Sequence, residues 1–404
     1  MKGGTKSFQK NANISLVLRS IRQNGRISRI EIARNLGLNR STITYIVSQL
    51  LEQGIIRTEA EGDAAAQGGR KPIFLGLNPE YGCILGLEMQ YLKGHAVLMD
   101  LGGRVFHQEI VEYAEAPFED KFSNIYTRLR ERIHESGLPL LGIGLGLPGL
   151  VDPFAGKIIK STFHKLENYD FAQKVQSRVP VPVLIDNDAN CCALAEMTAH
   201  RNEGIKDLIY LLPKFNTGEK EYRKVGVVGM GIGIITDGKV YYGHDYSAGE
   251  FRSVFWELGQ HEQVGLSSED LIRIDRDRAV LRRLIKELCF NLSVVISLLN
   301  PGRIYIGGDL CNQFDTFMEI LNTEMETRYI GVKRNRDKFF PTDYDEFDVA
   351  AGAATVFLEH LFNLPELRRL DTYYTIDWES LFTRARPDIT DAAAVLPQPR
   401  ELFT

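Results

Sequence analysis

Residues 185–196 read IDNDANCCALAE. An apolar run of Val181, Val183, Leu184 and Ile185 leads into Asp186-Asn187-Asp188-Ala189-Asn190 and then an alanine-rich stretch. That is the pattern of a strand giving way to a helix. A carboxylate at such a junction can accept a hydrogen bond from a substrate hydroxyl and take its proton. Whether the chain performs this proton transfer, or only keeps the pocket for it, depends on the groups that accompany the motif.

A second chemistry lies near the N-terminus. The whole chain carries a net charge of −5, yet residues 1–78 hold four Lys and eight Arg against five acids, a net of +7, which leaves −12 for the rest. A basic head on an acidic body is a nucleic-acid signal, because phosphate attraction supplies most non-specific affinity. Arg40, Ser41, Thr42, Thr44 and Tyr45 are side chains suited to base edges and phosphates. Arg70 and Lys71 sit in Gln67-Gly68-Gly69-Arg70-Lys71-Pro72, an extended strip that can lay an arginine in a narrow A·T-rich minor groove. An ordinary linker with two solvated charges remains the alternative for this strip.

Metal chemistry is not indicated. Cys83, Cys191, Cys192, Cys289 and Cys311 are scattered without ligand spacing, which fits a reduced, cytoplasmic protein. The first residues, Met1-Lys2-Gly3-Gly4-Thr5-Lys6, lack the apolar region of a secretory signal. No run approaches the roughly 20 apolar residues of a membrane span.

The elements that must position these groups can be read from periodicity. Ile14, Leu16, Val17, Leu18 and Ile21 recur at helical spacing, and Asn24-Gly25 closes that helix. Ser28 with Glu31 forms a capping box for a helix over 29–36, ended by Gly37. A third helix over 39–51 has Ile43, Ile46, Val47, Leu50 and Leu51 on one face, with Arg40, Ser41, Thr44 and Tyr45 near its start and off that face. Two helices joined by a tight turn make a helix-turn-helix, whose second helix enters the major groove. Residues 54–57 and 73–77 read as the strands of a wing; a small helical interaction domain that never touches DNA is the alternative.

From Tyr81 onward strands alternate with helices. Residues 84–88 and 95–100 suggest a hairpin, 118–137 a helix, 142–147 a buried strand, and 226–235 a strand, a glycine turn and a strand. A helix over 284–299 and a strand with a Gly turn over 303–309 follow. The fold class is α/β, two lobes around a cleft.

After the helix-turn-helix come GIGLGLPGLVDPFAGKI (142–158), IDNDAN (185–190), VGMGIGIITDGKVYYG (228–243), SAGE (247–250) and NPGRIYIGGDL (300–310). In this order, over roughly residues 10–360, they resemble the ROK family of repressors, open reading frames and sugar kinases. The resemblance implies a winged helix-turn-helix (1–78, with linker), a two-lobed actin-like ATPase body for sugar binding and oligomerisation (79–362), and a C-terminal extension (363–404) with a disordered end. It also implies a homodimer or tetramer, and hence a palindromic operator, expected to carry A·T-rich flanks.

Polyols are held by side chains that donate and accept in pairs, and by carboxylates that accept from two vicinal hydroxyls. Asn187, Asp188 and Glu250 match the family's sugar-contacting positions, with Gly149 and Thr162 at flanking ones. The alternative is structural: Asp188 caps its helix and Glu250 pairs with an arginine. The kinases' DxGGT loop is replaced by Leu87-Glu88-Met89-Gln90-Tyr91-Leu92, and their GTGIG by Gly229-Met230-Gly231-Ile232-Gly233. Neither replacement offers a good phosphate cradle. Ser253 stands where the family's zinc-binding His would be, no cysteine lies between Cys192 and Cys289, and the lone His261 reads as a surface residue. Neither ATP nor zinc is therefore expected as a cofactor. The sequence reads as a sugar-responsive DNA-binding repressor of carbohydrate uptake or catabolism genes; the alternative is a ROK sugar kinase with Asp188 as base.

Overall fold

The computed structural model describes residues 2–61, 73–216, 226–324 and 336–362. Helix α1 (Lys2–Asn24) buries Ile14, Val17, Leu18 and Ile21 on one face. Strand β1 (Ile27–Ser28) runs into α2 (Arg29–Leu36), where Glu31 N donates to Ser28 Oγ and Ser28 N donates to Glu31 Oε2 at 2.8 Å. This reciprocal cap satisfies two donors that the first turn leaves orphaned. Gly37, at φ 62, ends α2, and Asn39 caps α3 (Arg40–Glu52) through Ser41 N. Strands β2 (Ile56–Glu61) and β3 (Ile73–Leu77) complete a wing in the order β1-β3-β2. The sequence reading missed β1, which is too short to show a period.

The first lobe is a five-stranded mixed sheet. It contains β4 (Cys83–Met89), β5 (Lys93–Asp100), β6 (Val105–Glu112) and, after α4 (Phe118–Glu135), β7 (Leu140–Leu147). A small antiparallel sheet follows, β8 (Leu150–Asp152), β9 (Lys157–Ser161) and β10 (Leu166–Asp170), then α5 (Phe171–Gln176) and β11 (Val183–Asn187). The large sheet has the order β11-β7-β4-β5-β6, with β11, β7 and β4 parallel.

Helix α6 (Asp188–Ala199) leads to the second lobe, built on β12 (Leu208–Phe215), β13 (Val228–Thr236) and β14 (Lys239–Val240). Helices α7 (Ser268–Leu271) and α8 (Arg278–Leu299) precede β15 (Arg303–Ile306), α9 (Phe314–Thr323) and β16 (Phe339–Pro341). The sheet order is β14-β13-β12-β15-β16. The last described helix, α10 (Asp348–Phe362), lies on β4 and β7 while packing against α6, which in turn covers β12 and β13. The two helices thus form the layer between the lobes.

One sequence expectation changes. Residues 226–235 contain one continuous strand, β13, rather than a strand, turn and strand. Its glycines serve close approach: a Cβ on Gly233 would lie 2.1 Å from Ala189 O of α6. The boundary near residue 78 is crossed by a single apolar cluster, in which Ile14, Val17 and Ile21 join Leu358, Leu361 and Phe362 of α10. The DNA-binding head therefore rests directly on the helix between the lobes. No described helix is long and apolar enough to cross a membrane.

Candidate sugar cleft and DNA-binding face

On α3, Ile43, Ile46, Val47 and Leu50 are buried, which turns Arg40, Ser41, Thr44 and Tyr45 outward. Tyr45 is 65% exposed, unusual for so large a ring and consistent with a surface that meets a partner. Thr42 lies half-buried on the flank. The strip carrying Arg70 and Lys71 lies outside the described residues, as does the extension from residue 363.

The strand–helix junction forms as the sequence indicates. Asn187 is the N-cap of α6: its Oδ1 accepts from Asn190 N at 3.1 Å, while its Nδ2 donates to Gly149 O at 3.1 Å. Gly149 sits at φ 131, where a Cβ would be 2.4 Å from Lys160 O, so only glycine fits this approach to β9. Asp188 opens the helix with Oδ1 accepting from Ala189 N at 2.9 Å. Glu250 is joined to Gly231 of β13 by a β-bridge and is exposed at the rim. Thr162 follows β9 on an exposed turn, closed by Lys165 N donating to Thr162 O at 3.2 Å.

Asp188 accepts one hydrogen bond within the first turn, from Ala189 N, without being the N-cap. The helix cap is Asn187, and among the described residues no arginine forms an ion pair with Glu250. Asp188 instead faces other acids. Burial pushes its carboxyl up to about 7; Ala189 N opposes this, Glu88 adds to it, Lys214 opposes it and Glu250 adds to it. The cleft walls around Glu250 desolvate its carboxyl and raise its pKa, although the residue as a whole is exposed at the rim. Asp186 is buried and raised to about 6 by desolvation, although it accepts from Tyr242 Oη at 2.7 Å, Asn187 N at 2.7 Å and Asn190 Nδ2 at 3.3 Å.

The region that replaces a phosphate loop is filled by an ionic network. Glu88 is 3% exposed, and its carboxylate accepts from Gln90 Nε2 at 3.1 Å and lies 3.0 Å from His95 Nδ1. Lys214 Nζ lies 3.6 Å from Glu88 Oε1 and 3.5 Å from Asp348 Oδ1. Asp348 also accepts from Tyr210 Oη at 2.9 Å, Gly308 N at 3.1 Å and Val349 N at 2.7 Å. Burial opposes the Glu88 charge, but Lys214, His95 and Gln90 outweigh it and hold the carboxyl at about 2. Burial likewise disfavours the Lys214 charge, and Asp348 and Glu88 reverse that, so its pKa rises. The sequence shows Glu88 only as part of a poor phosphate cradle and does not reveal Lys214, Asp348 and Tyr242. The available signal was a lysine closing the apolar run Leu208–Pro213.

Ser253, at the position expected for a zinc-binding His, is buried and accepts from Asn291 Nδ2 at 3.0 Å. Its hydroxyl is thus part of the packing of α8. His261 is exposed.

A family model described as "ROK family" matches residues 84–252, and one described as "Winged helix-turn-helix DNA-binding" matches residues 10–57. The chain is 30% identical to the xylose repressor of Staphylococcus xylosus over 333 residues, 80% of this chain and 81% of that protein. The chain belongs to the ROK family. A solved ROK family transcriptional regulator, a homologue of the E. coli MLC protein, has the same fold: 20% identity, TM-score 0.66, 88% of this chain and 97% of that one. A ROK family glucokinase from Streptomyces griseus, solved with glucose and AMPPNP, aligns at 18% identity and TM-score 0.52, over 68% of this chain and 99% of the enzyme. The present ROK body thus has the two-lobed kinase-type fold, preceded by a winged helix-turn-helix.

Proposed function

We propose that this ROK protein is a cytoplasmic, sugar-responsive transcriptional repressor of carbohydrate uptake or catabolism genes, which binds a monosaccharide without phosphorylating it. The observation that carries the reading is the Glu88–Lys214–Asp348 network beside a retained Asp188. A kinase must present donors and a metal to nucleotide phosphates. Here the corresponding turn, residues 90–92, is bulky and lacks glycine, and Glu88 near the end of β4 is already committed to Lys214. Asp188 remains suited to accept sugar hydroxyls, with Asn187, Glu250, Gly149 and Thr162 around it. The 30% identity to a xylose repressor supports the same reading.

DNA would be read by Arg40, Ser41, Thr42, Thr44 and Tyr45 in the major groove, with Arg70 and Lys71 reaching the flanking A·T-rich minor groove. A homodimer, the minimal assembly for a palindrome, is supported by the exposed Val294 and Leu298 of α8, a helix against which the exposed Val254 and Phe255 pack through Asn291 and Phe290. The test pairs two measurements on the full chain. A coupled assay with Mg-ATP and a panel of hexoses and pentoses is expected to stay at background. Operator binding, read by fluorescence anisotropy, is expected to change when the effector sugar is added. ATP-dependent turnover together with sugar-insensitive DNA binding would reverse the assignment.

A further inference from the structure

Three aromatic rings meet where the two lobes face each other beside Asp186. Phe154 lies between β8 and β9 of the first lobe, and Tyr242 and Tyr246 precede Glu250 in the second. The Phe154 and Tyr242 ring centroids are 5.5 Å apart at 77°, those of Phe154 and Tyr246 are 6.4 Å apart, and those of Tyr242 and Tyr246 are 6.1 Å apart at 66°. All three side chains are half-buried, neither sealed in a core nor fully solvated. Tyr242 is fixed in place because its hydroxyl donates to Asp186 Oδ2 at 2.7 Å. The trio is thereby tied to Asp186, which precedes Asn187 and Asp188 at the end of β11.

Tyr246 carries an independent signal. Its φ is +65°, in the left-handed region that bulky residues avoid. Glycine would hold this backbone without strain. Strain of this kind persists where the surroundings impose it, and it clusters at ligand clamps.

The charges near the rings narrow the ligand further. Asp186, Asp188, Glu250 and Glu88 surround this part of the cleft, while the nearby cation Lys214 is held between Glu88 and Asp348. Among the described residues that act on Asp188 the cation is Lys214, already paired, so the local field is negative and an incoming phosphate would meet carboxylates. An uncharged monosaccharide suits both features. Its hydroxyls donate to carboxylates, and one ring face carries C–H groups whose partial positive charge matches the negative face of an aromatic ring.

Building on the effector reading above, we propose that Phe154, Tyr242 and Tyr246 form an aromatic clamp that stacks on the C–H face of an uncharged monosaccharide and discriminates against phosphorylated sugars. Phe154 belongs to one lobe and the tyrosines to the other, so the clamp ties ligand binding to the relation between the lobes.

Calorimetric titration of the full chain with D-xylose, D-glucose, D-mannose, N-acetyl-D-glucosamine and D-glucose 6-phosphate tests this, alongside Phe154→Ala, Tyr246→Gly and Tyr246→Asn. At least one uncharged sugar is expected to bind, and glucose 6-phosphate to bind about tenfold more weakly than that sugar or not at all. Tyr246→Gly and Tyr246→Asn, which both accept the left-handed backbone, are expected to keep or raise the melting temperature while losing about tenfold in sugar affinity. Phe154→Ala is expected to lose affinity similarly. Wild-type affinity in all three variants would overturn the clamp with the effector reading intact. Preferential binding of the phosphate ester would overturn the charge selection. A panel with no binder at all would remove the effector reading, and the clamp with it.

Discussion

With Asp188 as the proposed sugar acceptor, sugar affinity is expected to depend on pH. Half-buried at the head of α6 and facing Glu88 and Glu250, the Asp188 carboxyl is raised by desolvation to about 7 from an ordinary value of 3.8. Sugar hydroxyls donate to the ionised form, so the apparent Kd is the intrinsic Kd divided by the ionised fraction. With a pKa of about 7, that fraction is roughly one tenth at pH 6 and roughly nine tenths at pH 8. Affinity should therefore strengthen about tenfold, or about 1.4 kcal/mol, between those values. Asp186, at about 6, completes most of its titration by pH 7, which leaves the upper half of the window to Asp188.

Stability without sugar should move the other way. The unfolded carboxyl ionises first, so the folded state binds more protons between about pH 4 and pH 7, and stability falls as pH rises across that window. Sugar-induced stabilisation should accordingly grow with pH. Calorimetric titration at pH 6, 7 and 8 measures the first effect, and melting curves with and without sugar the second. Asp188→Asn should bind weakly with little dependence between pH 7 and 8. A flat wild-type profile, or an unchanged slope in Asp188→Asn, would refute the assignment of Asp188 as the titrating acceptor.

Three further outcomes follow from the geometry. Arg22 of α1, with a side chain 6% exposed, pairs with Glu359 of α10 at 2.8 Å and lies 4.8 Å from the Phe362 ring centroid. Glu359→Gln should cost about 3 kcal/mol in urea unfolding because the guanidinium stays buried without its counter-charge, whereas Arg22→Met should cost about 1 kcal/mol or less; equal losses would contradict this. Lys214→Met leaves Glu88 and Asp348 without their shared cation and should cost about 3–5 kcal/mol in the same assay. Arg40→Ala should weaken operator binding by about 1–3 kcal/mol and relax preference at one base pair, as read by anisotropy on single-substituted operators.

Much of this protein is decided locally. The box of Ser28 and Glu31, the stop at Gly37 and the cap at Asn39 depend on residues within four positions of one another, so the helix-turn-helix is legible without any knowledge of the rest. The strand–helix switch at Asn187 and Asp188 is legible for the same reason. Glycine cannot be read this way. In β13 the run Gly229-Met230-Gly231-Ile232-Gly233 looks like a turn, and it is a strand because Ala189 of α6 presses against Gly233.

Charge partners are equally invisible to a linear reading. Lys214 meets Glu88 and Asp348 across separations of more than a hundred residues, and whether a carboxylate repels a ligand or neutralises a lysine depends on which groups folding brings within a few ångströms. The same holds for Phe154 with Tyr242, and for Arg22 with Glu359. Sequence determined the helices, their caps and the acidic motif, because short-range hydrogen bonding and periodic burial govern them. Only the tertiary structure decided how the acids titrate, what fills the place of the phosphate loop and how the DNA-binding head rests on the body, because Coulomb forces and packing act through space and take no account of distance along the chain.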